Sequence, residues 1–132
     1  MKLFYLSSFI VMLLLPAMAF ADPLDNVASL VKQGNTKELN KLFAASVEIT
    51  IMDEGNSYSK EQATQLLDKF FAKNKPLSIK LLHKVNSSSS FHLGVYILTT
   101  TDKQEYRVAF TLKDTGGTMS IIEFRIEDEK VK

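Results

Sequence analysis

Between Ile79 and Ile126 the chain passes through four stretches in which apolar residues return at every second position, separated only by short polar segments. A period of two is the period of a strand and keeps one set of side chains on one face. Ile79, Leu81, His83 and Val85 share a face of the first stretch, and Phe91, Leu93, Val95, Ile97 and Thr99 share a face of the second. In the third, Tyr106, Val108, Phe110 and Leu112 alternate with Arg107, Ala109 and Thr111; in the last, Ile122, Phe124 and Ile126 oppose Glu123, Arg125 and Glu127. Asn86 to Ser90 reads as a loop, Asp102-Lys103-Gln104 as a turn, and Asp114-Thr115-Gly116-Gly117 as a tight hairpin. Strands joined this closely pair antiparallel. The second half of the chain is therefore expected to form a meander.

The residues before it follow a different period. Leu24, Val27, Leu30 and Val31 recur at offsets of three and four behind Pro23, the stripe of a helix with proline in its first turn. Gly34 ends that helix as a C-terminal cap, and Asn35 with Glu38 opens a second whose buried residues are Leu39, Leu42 and Phe43. Val47, Ile49 and Ile51 alternate with Glu48, Thr50 and Met52 as a half-buried strand, Asp53 to Asn56 is turn chemistry, and Tyr58 begins a return. Ser59 and Gln62 form a capping box for a third helix carrying Ala63, Leu66, Leu67, Phe70 and Phe71, which Pro76 terminates. The expected class is α+β, in the order α-α-β-α-β-β-β-β. Three helices pack on a strongly curved antiparallel sheet, shaped like a cone with an open mouth.

The first residues belong to neither half. Lys2, an apolar run from Leu3 to Leu15 and Ala19-Phe20-Ala21 are the parts of a secretory signal peptide. The expected division is a leader over 1–21, cleaved after Ala21, and one domain over 22–132, periplasmic or secreted. The run is too short for a comfortable membrane span, and no later stretch approaches the roughly 20 apolar residues a span needs. Removing the leader with Lys2 leaves equal numbers of basic and acidic residues. Bulk charge therefore does not drive nucleic-acid binding, and nucleic acid is not an expected partner. The chain holds no Cys, which excludes a disulfide scaffold and a thiol nucleophile.

Several segments resemble short exported Bacteroidota proteins grouped as domain of unknown function 4783: 32–39, 47–51, 58–63, 70–74 and 124–127. The resemblance extends over the domain and implies a nuclear transport factor 2-like (cystatin-like, SnoaL-like) cone fold and an exported location. The shared segments are caps, strand faces and turns. They imply no reaction and lend no functional residue.

Candidate residues follow from the alternation. His83 lies on the apolar side of its strand, where a cone would place a general acid or base. It is a weak catalytic candidate, because no second titratable group is positioned to tune it. His92 falls on the opposite parity and is expected on the outer face; two separated histidines make no metal site. No catalytic residue, metal or cofactor is assigned. Tyr58, Phe70, Phe71, Leu81, Phe110 and Phe124 are the candidates for an apolar pocket between the third helix and the concave sheet, with a small apolar molecule as ligand. Glu48, Tyr96, Arg107, Glu123 and Arg125 are the interface candidates on the convex face, with a second copy of the chain as partner. The leading expectation is a non-catalytic binding or interaction module. A homodimeric interaction module and a His83-dependent hydrolase or isomerase are the alternatives.

Overall fold

The computed structural model describes residues 22–86 and 90–129. The leader, the middle of the serine loop and the tail from Lys130 lie outside the described residues. Helix α1 (Pro23–Gln33) and helix α2 (Thr36–Leu42) lead into strand β1 (Phe43–Ile51) and strand β2 (Glu54–Ser59). Helix α3 (Lys60–Lys73) follows, then β3 (Pro76–Val85), β4 (Phe91–Thr100), β5 (Glu105–Thr115) and β6 (Thr118–Asp128). The α+β class and the succession of helices and strands agree with the sequence. The return at Tyr58 is a full strand, and Phe43 opens β1 with extended backbone instead of closing the second helix.

The capping chemistry acts as the sequence implies. The Asp22 side chain accepts from the Leu24 N–H ahead of Pro23, and Gly34, at φ 64°, closes α1 in the left-handed conformation. Ser59 and Gln62 bond reciprocally at the start of α3. Asn35 accepts from Glu38, whose carboxylate turns outward to Lys41 instead of completing a box. At the last hairpin Gly116 and Gly117 both take positive φ, as a type I′ turn requires, and Asp114 accepts from the Gly117 N–H.

All six strands form one sheet in the order β2-β1-β6-β5-β4-β3. The meander β3 to β6 is antiparallel throughout, and β1 joins β6 in parallel. That parallel join follows from topology: α3 and the meander lie between β1 and β6, so the chain returns to β1 in its own direction. The helices cover one face of the sheet, and the other is open.

On the helix-covered face Phe110 and Phe124 are fully buried, and Phe110 stacks between Tyr96 and Phe124 with centroids at 5.2 and 5.7 Å. Gly94 lies opposite Phe110 in the ladder, and the Tyr96 ring occupies the space above it. A Cβ on Gly94 would stand 2.7 Å from that ring. Val27, Val31, Leu39, Val47, Ile49, Leu67, Leu98, Val108 and Ile126 close the same core.

Three strands depart from simple alternation. In β6 the register shifts between the Glu123–Thr111 and Ile121–Leu112 pairs, so Ile121 is buried and Ile122, expected on the inner face, is the bulged residue. In β4 both parities are apolar, and pairing with β5 decides between them. Leu98 meets Tyr106, Tyr96 meets Val108 and Gly94 meets Phe110, so the even residues face the helices and Leu93, Val95 and Ile97 face outward. Tyr96 and His92, expected on the outer face, are both on the helix side, and Tyr96 is only 2% exposed. In β3 the register slips between Leu81 and His83, which makes Leu82 a bulge. Beyond it the sides exchange: His83 pairs opposite Val95 on the open face, and Lys84 turns under the helices.

Candidate functional site

The six pocket candidates do not converge on one cavity. Phe110 and Phe124 are stacked core, Phe70 packs edge-on against Phe71 and Tyr106, and Leu81 is 47% exposed on the outermost strand. Tyr58 lines a hollow of about 210 Å³ together with Ile49, Ile51, Glu54 and Leu66. A second hollow of about 70 Å³ lies among Pro23, Asn26, Val27, Leu42, Leu112 and Met119. Between α3 and the sheet Phe70 meets Tyr106 edge-on, while Phe110 and Phe124 belong to the separate stack with Tyr96.

The larger depression, about 480 Å³, is a trough on the open face. Its apolar wall is Leu82, His83, Leu93, Val95 and Ala109, and its polar wall is Arg107, Thr111, Glu123, Arg125 and Glu127. The strand register orders these side chains into rows. One row runs Glu48, Glu123, Thr111, Leu93, Val85; the next runs Thr50, Arg125, Ala109, Val95, His83; a third joins Glu127, Arg107, Ile97 and Lys80. Across the sheet the open face thus passes from acidic at β1 and β6, through apolar at β4, to basic at β3. Four of the interface candidates, Glu48, Arg107, Glu123 and Arg125, lie on this face, and Tyr96 does not.

The polar wall is satisfied within the chain. Arg107 holds Glu129 through two nitrogens at 3.0 and 3.2 Å, Arg125 holds Glu127 at 2.8 Å, and Thr111 donates to Glu123 at 3.4 Å. Glu48 and Glu123 stand side by side in the parallel pair, a like-charge contact that the chain leaves standing.

His83 is exposed, and no acid hydrogen-bonds to it among the described residues. The bulge at Leu82 places it on the open face, opposite Val95. His92 instead meets the Asn86 side chain at 2.7 Å. Among the described residues no group of His, Asp and Glu is arranged to hold a metal ion. No helix among them is long and apolar enough to cross a membrane.

A cluster that sequence reasoning missed joins α1 to β3. Lys84 Nζ lies 2.7 Å from Asp22 and 3.0 Å from Asp25, and Tyr96 donates to Asp25 at 3.3 Å. The Lys84 ammonium draws the Asp22 carboxyl below its ordinary pKa, and the two carboxylates raise that of Lys84. Burial, reinforced by the Asp25 charge, pushes the Tyr96 phenol up to about 12. The Leu82 bulge creates this cluster, and sequence spacing carries no signal for it.

Comparison with known proteins agrees with the architecture. A family model described as Domain of unknown function (DUF4783) matches residues 24–127. A DUF4783 family protein from Bacteroides uniformis superposes with a TM-score of 0.76 at 23% identity, covering 83% of this chain and all of that one. A relative of the same description from Bacteroides ovatus gives 0.72 at 24%, covering 78% of this chain and 92% of its own. A protein described as Rd1NTF2_04 with long sheet gives 0.64 at 17%, covering 78% and 94%. No curated protein matches the chain.

Proposed function

Because the chain belongs to the DUF4783 family, which carries a fold and no assigned reaction, we propose that it is an exported, non-catalytic interaction module that pairs with a second copy of itself through the open sheet face. The observation that supports this most is the ordering of that face, acidic at β6, apolar at β4 and basic at β3. A two-fold axis along the strands between β4 and β5 would lay β3 of one copy over β6 of the other. Lys80 of one copy would then face Glu127 of the other and Val85 would face Glu123, with Leu93, Val95 and Ala109 at the centre. A self-complementary patch is what an isologous dimer needs, and depletion of charge at its middle is the usual composition of an interface core. The export half of the reading rests on the sequence of residues 1–21 and on cleavage after Ala21.

Native mass spectrometry of the mature chain tests the pairing and reads any retained ligand at once. The expected result is a dimer that Val95→Glu, or Arg107→Glu with Arg125→Glu, converts to a folded monomer. A wild-type monomer at tens of micromolar, or a dimer untouched by both variants, sinks the reading.

A further inference from the structure

The two edges of the sheet are treated differently. β2, Glu54–Ser59, is short and polar, the ordinary protection of an edge. β3, Pro76–Val85, is longer, and it carries four of the five large apolar side chains that stand exposed among the described residues: Leu77 at 56%, Leu81 at 47%, Leu82 at 44% and Val85 at 38%. Its outer row of backbone N–H and C=O groups meets no strand among the described residues. Register slips on either side of Ser78–Leu81 make Leu77 and Leu82 bulged residues, so a short regular ladder is framed by two outward leucines.

Apart from the Asp22–Asp25 pair that holds Lys84, the charge along this edge is basic. Between Asp68 and Asp102 the sequence contains five lysines and two histidines and no acid. Lys84 is held by Asp22 and Asp25, but Lys69, Lys73, Lys75 and Lys80 are exposed and make no ion pair among the described residues. Self-pairing of two β3 edges would bring like charges together. An exposed apolar ladder flanked by unpaired lysines instead fits an extended segment in which acidic and apolar residues alternate.

We propose that the β3 edge is a docking strand for an extended acidic polypeptide, which adds to the sheet along Ser78–Leu81 and rests its apolar side chains on Leu77 and Leu82. Main-chain hydrogen bonds supply the affinity in this mode, and side-chain contacts with surface charge supply the selection. The site adjoins the open-face trough and shares Leu82 with its wall, but it uses the backbone rim of the sheet, which the open-face pairing leaves free.

The test uses the mature protein and a capped decapeptide of alternating Glu and Val, followed by titration calorimetry and amide exchange. The peptide is expected to bind and to slow exchange within Ser78–Leu81. Methylating alternate peptide nitrogens along one edge should weaken binding at least about tenfold, since it deletes strand pairing and leaves charge intact. Lys73→Glu with Lys75→Glu, both outside the sheet, should weaken it by a comparable factor while the circular dichroism spectrum stays unchanged. Equal binding of the methylated peptide or of a Lys–Val decapeptide overturns the proposal, as does no binding at millimolar peptide. Exchange protection that grows with protein concentration alone would assign the edge to a second copy. Binding to vesicles of phosphatidylglycerol without binding to the peptide would assign it to a lipid surface. Either result also overturns the proposal.

Discussion

The Lys84 ammonium lies 2.7 Å from an Asp22 carboxylate oxygen, and this contact ties the first turn of α1 to the edge strand of the sheet. Asp22 is also the N-cap of α1, so one carboxylate serves the helix terminus and the cation together. Both partners keep solvent contact, with side chains 24% and 41% exposed. Their coupling is therefore a modest contribution, on the order of 1 kcal/mol or less.

Lys84→Met is expected to cost about that amount at neutral pH and to change the acid limb of stability. Asp22 has a folded pKa below its ordinary value of 3.8. Its contribution is thus complete above that value and is lost as pH falls through the folded pKa. Thermal melts from pH 2 to 7 should show a shallower acid decline in the variant than in the wild type. A variant curve parallel to the wild type would remove the pair from the account.

Tyr96→Phe addresses the alkaline limb. Burial raises the Tyr96 pKa to about 12 from 10.0, so the unfolded chain releases this proton first. Its stabilising contribution is complete below pH 10 and fades as pH rises towards 12. The variant should lose less stability over that interval, measured by urea midpoints at fixed pH. Lys84, also raised, adds to the same limb, and the double variant separates the two.

Gly94→Ala tests the packing of Tyr96. The added methyl would meet the ring at 2.7 Å and Leu24 at 3.2 Å. Both neighbours are buried core residues, which makes the displacement costly. A loss of about 1–3 kcal/mol is expected from overpacking, read as a lower denaturation midpoint. Leu24→Ala in the same chain relieves one contact and leaves the ring, so only partial recovery per lost methyl should follow.

Phe110→Ala opens the centre of the aromatic stack. The ring is fully buried between Tyr96 and Phe124, and its deletion should cost about 3–5 kcal/mol. That is a large part of the roughly 5–15 kcal/mol that stabilises a domain of ordinary size. Equilibrium unfolding in guanidinium measures it. A cost below 1 kcal/mol would mean that the stack is not the centre of the core.

Local chemistry in the sequence determined the elements: Pro23 and Gly34 bound α1, Ser59 and Gln62 start α3, and Gly116-Gly117 turns the last hairpin. It also determined the faces of β1 and β5 and of the Phe124–Ile126 end of β6, because there only one parity is apolar and burial has one solution, whereas at Ile121-Ile122 a bulge buried Ile121 in place of Ile122. β4 has apolar residues on both parities, so cross-strand pairing with β5 had to choose, and it sent Tyr96 inward. In β3 the bulge at Leu82 reversed the alternation, moving His83 to the open face and Lys84 beneath α1. A bulge forms where the register of two strands must be reconciled. It is a property of the pair, and the residues of one strand do not encode it alone. The sequence therefore specified the α+β frame and its core. The open-face trough and the Asp22–Lys84–Asp25 cluster were decided by strands meeting in three dimensions.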